Sequence, residues 1–524
     1  MPTSELMTDL FSIAARPIWA IICPAIVALL ILLSGKRPNI RETWTLLGSA
    51  GLFYSVLSMT SVVLEHGPIQ STWFDLFPNI EFALRADALG LIFATTSSVL
   101  WILVSIYSIG YMRSLNEHAQ TRYYFSFALA LLGAIGIALS ANLVTMFIFY
   151  EILTISTYPL VAHEESPEAI AAGHKYLAYL LTGGVFFLIG ILMTYFLVGT
   201  TDFSYQGILK PALSHTSKVT LQIVFFCFLL GFAKAAWMPV HSWLPTAMVA
   251  PTPVSALLHA VAVVKAGVFG IIRIVCHIYG IELMHTLGLG LVLAAIAAFT
   301  IIVANFFAIG QNNLKRMLAY STINQLSFII LGVALLSPMS ITGAMLHIPF
   351  HGFMKITLFL CAGAIAAITG KKTINELAGL GRVLPITLGA FLIGAFGMAG
   401  APPLAGFISK WHVALGAVES GHLFFLLIIF VGSILDVLYF FPVIRTAFFG
   451  KMPVAETLGN DREEKVEVYA EKKHIIEIQH PLYLFMIVPL AFTAIFSIFL
   501  CLFPNTLSIY DLAKTAVKNI FGGI

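Results

Sequence analysis

The sequence predicts an all-α, polytopic membrane protein, and three observations lead to that prediction. Of its 524 residues, 59% are hydrophobic and only 10% are charged, and the mean hydropathy is +0.95. A soluble domain typically carries about 25% charged residues. Apolar runs of the ~20 residues that a helix needs to cross a bilayer recur along the whole chain. We therefore expect about fourteen transmembrane helices.

The predicted spans follow these apolar runs in order. We expect the first span to be retained, because the residues before it include Glu5 and Asp9 and lack the basic start of a signal peptide. The spans are predicted near residues 17–34, 44–64, 87–110, 123–140, 142–162, 170–198, 219–239, 253–278, 286–308, 315–336, 341–369, 385–415, 423–446 and 482–503.

The distribution of basic residues predicts the orientation. With the N-terminus outside the cytoplasm, the cytoplasmic segments hold seventeen Lys and Arg residues and the opposite segments hold six. Positive charge collects on the cytoplasmic side of membrane proteins. We therefore expect a multi-pass protein of the cell inner (cytoplasmic) membrane. Both of its termini are expected outside the cytoplasm.

Three segments lie outside the predicted spans. Residues 65–86 are polar and aromatic and fit a short hairpin on the outer face. Residues 457–479 are the most charged run and fit a solvated cytoplasmic loop, with docking of a partner as the alternative. After the last span, DLAKTAVKNIFGG predicts a short interfacial helix.

Composition and motifs exclude several functions. The five cysteines stand singly in apolar segments, so they fit core packing and provide no ligand set for an iron–sulfur cluster or structural zinc. No glycine-rich nucleotide-binding motif occurs. The net charge of +3 and the lack of a basic run argue against nucleic acid. No cofactor and no metal site are predicted, and no redox centre is expected in this chain.

The most informative stretch is residues 230–267, LGFAKAAWMPVHSWLPTAMVAPTPVSALLHAVAVVKAG. It holds Lys234, His241, His259 and Lys265, with four prolines between the lysines. Ionisable groups at bilayer depth are costly and usually functional. Prolines free backbone carbonyls, which are tolerated only where protein or a water-filled cavity satisfies them. We predict a broken helix beside a buried polar path, with the break following Lys234.

The cations inside the predicted spans outnumber the acids. Burial and pairing push the pKa of such groups in opposite directions, so a group held between the two effects can exchange protons. We predict that Glu151 and Lys234 form an ion pair across two adjacent helices; the alternative is a static pair that fixes helix packing. The intramembrane cations are Lys234, Lys265, Arg273, Lys355 and Lys410, and the acids are Glu151 and Asp436.

A second cluster lies in MLHIPFHGFMKITLFL. His347, His351 and Lys355 fall at successive i, i+4 positions and therefore line one face of the eleventh span. This spacing suits two metal ligands as well, but no carboxylate or cysteine accompanies them. A stripe of imidazoles joined through water to a lysine is the preferred interpretation. His259 and Lys265 are six residues apart and do not share one face as closely, but they could border one channel if water bridges them.

Lys410, in GAPPLAGFISKWHVALG, repeats the pattern of Lys234 with the break placed before the lysine, at Pro402 and Pro403. Mirrored breaks are typical of two inverted halves with ion sites near the midplane. Arg273 is expected near the end of its span, with its side chain reaching toward water.

The runs KAAWMPVHSWLPTAMVAPTPVSALLHAVAVVKAG, LKRMLAYSTINQLSFI, FHGFMKITLFLCAGAI and GAPPLAGFISKW resemble the antiporter-like membrane subunits shared by respiratory complex I, Mrp-type sodium/proton antiporters and membrane-bound hydrogenases. The resemblance covers residues 85–445 and implies fourteen helices with two inverted five-helix repeats, each containing a broken helix. It implies proton-transfer roles for Glu151, Lys234, His259, Lys265, His347, His351, Lys355 and Lys410. Asp436 stands where an uncharged polar residue is expected.

The resemblance also divides the chain. It implies three N-terminal helices (1–122), a first repeat (123–280), a second repeat (281–448), a charged cytoplasmic loop (449–480) and a last span with a short tail (481–524). HEESPEAIAAGHKYLAYLL and FPNTLSIYDLAK look most like the D-type subunit of Mrp antiporters.

Three functions remain open. The first is a proton-translocating subunit of a multisubunit monovalent cation/H⁺ antiporter, with Na⁺ or another cation and sister membrane subunits as partners. The second is the proton-pumping subunit of a complex I-like oxidoreductase or membrane-bound hydrogenase. The third is an assembly subunit that transports nothing.

Overall fold

The computed structural model describes residues 13–77, 80–451 and 475–522, and nearly all of its regular structure is α-helical. The helices start where the sequence supplies caps: the side chains of Asp87, Asn142 and Ser166 each accept a hydrogen bond from the backbone N–H three residues ahead. The helices of the first half are α1 (Arg16–Leu33), α2 (Pro38–His66), α3 (Ala88–Ser114), α4 (Gln120–Ala138), α5 (Leu143–Val161), α6 (Pro167–Val198), α7 (Lys218–Gly231) and α8 (Thr252–Tyr279).

The second half continues in the same way. Ser337 begins its longest helix with a capping box made with Ser340. These helices are α9 (Leu289–Ile309), α10 (Leu314–Ala334), α11 (Pro338–Thr369), α12 (Pro385–Ala399), α13 (Ala405–Glu419), α14 (Leu423–Phe449), α15 (Pro481–Leu502) and α16 (Ile509–Ile520).

The prediction of a polytopic helical membrane protein is confirmed. In the described ranges, twelve helices are long and apolar enough to cross a membrane. The seventh and twelfth predicted spans are instead divided into shorter pieces: α7 has 14 residues, and α12 and α13 have 15 each. The count of fourteen spans stays a prediction.

Three helices form the centre of the bundle. In the most apolar part of α8, α10 and α11, 100%, 94% and 94% of residues are buried, against 33% for α6 and α14. Helices α6 and α14 therefore lie at the periphery, where apolar side chains such as Phe196 and Phe441 point outward. The predicted polar positions of the central helices are thus removed from lipid and bulk water.

The segments outside the spans match the predictions in part. Strands β1 (Ile69–Phe77) and β2 (Ile80–Ala86) form the expected antiparallel hairpin. The C-terminal segment forms α16, whose apolar face packs against α3 and α11. Most of the charged run 457–479 lies outside the described residues.

One member of that run, Glu477, is not solvated as expected. Its carboxylate accepts hydrogen bonds from the backbone N–H groups of Ile386 and Thr387 at 2.6 and 3.0 Å, and from the Thr387 hydroxyl at 2.6 Å. Burial raises the pKa of this carboxyl, and the three hydrogen bonds partly oppose the rise. Glu477 therefore acts as a cap for α12, a contact that local sequence does not reveal.

The break in the seventh span begins before Lys234, so the prediction that it follows the lysine is wrong. Helix α7 ends at Gly231, and Lys234 lies in the 3-10 turn Ala233–Ala235. The physical reason is that side chains satisfy the freed carbonyls. The Tyr150 hydroxyl donates to the Gly231 carbonyl at 3.0 Å, and the indole of Trp237 donates to the Leu229 carbonyl at 3.1 Å.

The break in the twelfth span lies where it was predicted. Helix α12 ends at Ala399 and α13 begins at Ala405, so the interruption at Pro402 and Pro403 precedes Lys410. The carbonyl of Met398 is satisfied by the ammonium of Lys410 at 2.7 Å. The lysine thus takes part in stabilising the break as well as following it.

Candidate functional site

The ammonium of Lys234 lies against helix α5. It donates hydrogen bonds to the Tyr150 carbonyl and the Thr154 hydroxyl, both at 2.8 Å, and lies 3.0 Å from the centroid of the Tyr150 ring. The predicted direct ion pair with Glu151 is not formed, and both Glu151 oxygens lack a hydrogen-bond partner among the described residues. The prediction failed because the neighbouring carbonyl and hydroxyl of α5 take the lysine's hydrogen bonds.

Glu151 nevertheless occupies a space kept free for it. Its carboxylate packs against Gly184 of α6, where a Cβ would lie 3.0 Å from the Glu151 Cδ and in contact with Oε1. Glycine is therefore required there for the carboxylate to keep its position. Glu151 and Lys234 remain on the same side of α5, since Tyr150 and Thr154 flank the glutamate.

Lys265 and His351 are brought into direct contact. The Lys265 ammonium lies 2.7 Å from His351 Nδ1, and both side chains are fully buried. His259 lies in a π-helical turn of α8, Leu257–Val261, with its ring 4.6 Å from that of Phe359. Neither His259 nitrogen has a hydrogen-bond partner among the described residues. A π-turn locally widens the helix and is frequent at functional sites.

His347 continues the line toward the second break. Its ring centroid is 5.8 Å from that of His351. Nδ1 lies 2.7 Å from the Ser409 hydroxyl, and Nε2 lies 3.2 Å from Gln325 Oε1. The Gln325 amide in turn donates to Asp436 Oδ2 at 2.7 Å. His347 is thus connected through one side chain to a buried carboxylate.

Asp436 is the centre at which the buried groups meet. Its carboxylate forms an ion pair with Lys410 at 2.8 Å and accepts hydrogen bonds from Asn324 and Tyr439 at 2.6 and 2.8 Å. Together with Gln325, these give each oxygen two donors. Asp436, whose role the sequence left open, is therefore the counterion of Lys410.

Lys355 reaches the same carboxylate by another route. Its ammonium donates to the Ser321 hydroxyl at 2.7 Å, and Ser321 lies 2.7 Å from the Tyr439 hydroxyl. Tyr439 then donates to Asp436. His347, His351 and Lys355 therefore lie on one face of α11, as predicted. They form no direct hydrogen bonds with one another among the described residues. Their hydrogen-bond partners lie on neighbouring helices, among them α8 and α10, and Lys355 is linked through Ser321 to Tyr439 of α14.

Glu151 and Lys234 are not joined to the other predicted site residues by hydrogen bonds between described residues. Lys234 and Lys265 lie on packed segments, since a Cβ on Gly267 would be 2.6 Å from the Lys234 carbonyl carbon. Their ammonium groups have the separate partners described above. The structure thus places the predicted residues in two groups, Glu151 with Lys234 and the remaining six around α11.

Arg273 does not reach toward water. It is buried and forms a bidentate ion pair with Asp87, at 2.6 and 2.7 Å. The pair joins α8 to the first residue before α3, and His277 Nε2 lies 3.1 Å from the guanidinium. Sequence reasoning missed Asp87 because it stands at a predicted span boundary. Its position as an N-cap before an apolar run was the available signal.

A cavity of about 290 Å³ opens on the face where α5 ends and α6, α8 and α10 begin. Glu164 and Glu168 line it together with Thr252, the first residue of α8, and Lys315. The Lys315 ammonium donates to the Ala250 carbonyl at 2.5 Å. Charged side chains of both signs therefore border the helix that carries His259 and Lys265.

The fold and this arrangement define a class: a polytopic helical membrane protein whose interrupted helices surround a buried row of lysine, histidine and carboxylate side chains. Residues 140–436 match the sequence profile of the family described as NADH:quinone oxidoreductase/Mrp antiporter, TM, and residues 73–124 match that of the complex I chain 5 N-terminus. The chain belongs to this antiporter-like membrane subunit family.

Relatives of both kinds are similar to this chain. NADH-quinone oxidoreductase subunit N of Desulforudis audaxviator is 33% identical over 66% of this chain and 69% of the relative. Na⁺/H⁺ antiporter subunit A1 of Staphylococcus aureus is 29% identical over 95% of this chain, which spans 63% of that relative's length. The specific likeness to a D-type subunit stays a prediction.

Two solved complexes contain chains of the same fold. A chain of the Mrp complex from Dietzia sp. superposes with a TM-score of 0.82 at 22% identity, covering 97% of both chains. A chain of the membrane-bound sulfane sulfur reductase, an archaeal respiratory membrane complex, gives 0.81 at 24% identity, covering 96% of this chain and 97% of the other. Chains with this fold thus occur within multisubunit membrane complexes.

Proposed function

We propose that this chain is the proton-translocating, antiporter-like subunit of a multisubunit monovalent cation/H⁺ antiporter of the Mrp type. The observation that carries the proposal is the buried hydrogen-bonded row from His347 and Lys355 to Asp436 and Lys410. Intramembrane ionisable residues that face a bundle interior typically mark ion pathways and proton relays. The similarity to an Na⁺/H⁺ antiporter subunit over 95% of the chain supports the antiporter class.

The chemistry of the row suits proton transfer. Lys265 and His351 share one short contact of 2.7 Å, in which a proton can reside on either nitrogen. His347 presents one ring nitrogen to Ser409 and the other to Gln325, so a proton can leave from the side opposite to that on which it arrived. Proton movement from Lys234 to Lys265 would require intervening water.

The cavity beside Thr252 is the proposed site of proton uptake. It adjoins the start of α8, and Glu164 and Glu168 line it together with four basic side chains, Lys315, Arg316, Lys371 and Lys372. Either carboxylate can take up a proton from water and release it beside the start of α8. By the distribution of basic residues this face is cytoplasmic, which would place both termini outside the cytoplasm in a cell inner membrane.

A complex I-like or hydrogenase-like pump is the second candidate. The observation in its favour is the 33% identity to an NADH-quinone oxidoreductase subunit N. In that case electron transfer in other subunits would drive the same proton path. Sister antiporter-like subunits and small membrane subunits are the proposed partners in either complex.

Transport measurements in membrane vesicles test the proposal. Glu151→Gln and Lys234→Ala should each abolish coupled proton movement while the complex still assembles. Lys210→Ala is the matched control, because Lys210 forms an ion pair with Glu282 in which both side chains are more than half exposed. Full transport in either buried variant would refute the relay. Reduced assembly with unchanged transport per assembled complex would instead support the third, purely structural function.

A further inference from the structure

Two loops on one face of the bundle bring together a carboxylate and two imidazoles. Glu117 and His118 lie in the loop between α3 and α4, and His163 follows α5. One ligand atom from each lies within 4.8 Å of the others. Glu117 Oε2 is 3.8 Å from His163 Nε2, and the two imidazole centroids are 4.9 Å apart. None of the three belongs to the buried row described above.

His163 supplies a second, independent observation. Its side chain is 0% exposed, yet neither ring nitrogen has a hydrogen-bond partner among the described residues. Buried polar side-chain atoms are nearly always hydrogen-bonded, and an exception calls for an explanation such as an ion. The separation of 3.8 Å from Glu117 is too long for a hydrogen bond. His163 Nε2 is therefore a buried potential metal ligand that lies near the Glu117 carboxylate without forming a hydrogen bond to it.

The surrounding charges leave room for a cation. Arg122 is the adjacent basic side chain. It donates to the His163 carbonyl at 3.1 Å, and its guanidinium forms an ion pair with Glu165. Because Glu165 already balances Arg122, the Glu117 carboxylate remains available to a cation at this loop pair.

We propose that Glu117, His118 and His163 bind one divalent transition-metal ion of the Zn²⁺ class. Two imidazoles with one carboxylate form a ligand set that holds Zn²⁺ and leaves a fourth position for water. Ca²⁺ and Mg²⁺ prefer ligand sets made of oxygen, which the two histidines do not supply. Ligand atoms about 2.0–2.2 Å from one ion lie roughly 3.3 Å from one another. Because the three atoms lie within 4.8 Å of one another, closure requires the farthest pair to approach by up to about 1.5 Å, chiefly through movement of the exposed His118.

The location gives the ion a structural consequence. It would join the α3–α4 loop to the α5–α6 loop beside Glu164, which lines the 290 Å³ cavity. Metal binding can be measured without measuring transport. A negative result for metal binding would leave the proposed proton path unaffected.

Co²⁺ titration of the untagged, purified full-length protein tests the proposal, because Co²⁺ bound by imidazole and carboxylate in a tetrahedral site gives visible absorption bands. We expect one Co²⁺ per chain, displaced by added Zn²⁺. His118→Ala and Glu117→Gln change partly exposed side chains and should preserve the fold while weakening binding by on the order of 100-fold or more. His163→Ala should do the same.

His174→Ala is the matched control. His174 is an exposed histidine of α6 whose ring stacks on Tyr158 at 6.4 Å, outside the cluster. It should leave the Co²⁺ spectrum and stoichiometry unchanged. Absence of Co²⁺ binding by the wild-type protein would overturn the proposal, and so would wild-type affinity in both His118→Ala and Glu117→Gln.

Discussion

The Lys410–Asp436 pair should be the most strongly coupled contact of the second half. Asp436 is fully buried, the Lys410 side chain is 6% exposed, and the charged atoms are 2.8 Å apart. Asp436→Asn keeps one oxygen as acceptor for Asn324 and Tyr439 but removes the countercharge. Lys410→Met removes the cation and leaves the carboxylate with three neutral donors.

The magnitude follows from burial. Removing one partner of a buried ion pair typically costs about 3–5 kcal/mol, because the remaining charge is left uncompensated. Each single variant should therefore be destabilised by an amount in that range. The double variant Lys410→Met/Asp436→Asn buries no net charge, and the Met398 carbonyl that Lys410 vacates keeps the Gln325 amide as a donor at 3.3 Å. We expect a coupling free energy of about 2–3 kcal/mol between the two changes.

Thermal unfolding of the purified protein in detergent gives the assay. Both single variants should melt well below the wild type. The decrease in melting temperature of the double variant should be smaller than the sum of the two single decreases. A double variant whose loss equals that sum would show that the two charges do not depend on each other, and the interpretation of Asp436 as the counterion would fail.

Three further outcomes are expected. Lys234→Arg should reduce vesicle proton transport nearly as severely as Lys234→Ala, because arginine does not release its proton at physiological pH; near-wild-type transport would argue that Lys234 acts only as a fixed charge. Gly184→Ala should displace the Glu151 carboxylate and lower transport. Gly389→Ala is the control and should leave transport unchanged, because a Cβ there would have no atom within 4 Å. Equal transport in the two variants would contradict the role of the space at Gly184. Tyr150→Phe should lower the free energy of unfolding by about 1–3 kcal/mol, because it leaves the Gly231 carbonyl without its hydrogen bond while the ring keeps its contact with Lys234. Thermal unfolding measures this loss of stability. An unchanged melting temperature would mean that another group satisfies the carbonyl.

The helices could be predicted closely because their signal is local. An uninterrupted apolar run of span length has few alternatives in a membrane, so α6 and α11 end at the predicted residues 198 and 369. The i, i+4 spacing of His347, His351 and Lys355 likewise fixed their common face without any knowledge of neighbouring helices.

The pairings could not be predicted, because their partners are distant in sequence. Arg273 and Asp87 are 186 residues apart, and Gln325 and Asp436 are 111 apart. The position of the first break depends in the same way on Tyr150, which caps the end of α7 from another helix. Glu117 and His163 belong to different loops, and neither loop alone has the spacing of a metal motif.

The two halves carry matching local signatures that support the proposed inverted repeats. Helices α6 and α11 each have 32 residues and begin with a proline after a capping serine. Helices α5 and α10 each follow a capping asparagine, Asn142 and Asn313, and each asparagine forms an isolated antiparallel bridge to a residue beyond the following helix, Asp202 and Thr373. If every predicted span crosses the membrane, these signatures begin on opposite faces, as inverted repeats require.

If the two halves are inverted repeats, Lys234 and Lys410 are counterparts, each beside the broken helix of its own half. They differ in their acids: Lys410 contacts Asp436 directly, whereas the Glu151 carboxylate has no hydrogen-bond partner among the described residues. We infer that substituting Asp436 disrupts four contacts at once, those with Lys410, Asn324, Gln325 and Tyr439, whereas substituting Glu151 breaks no hydrogen bond between described residues. Substitutions at Asp436 should therefore affect stability first, and those at Glu151 should affect transport first.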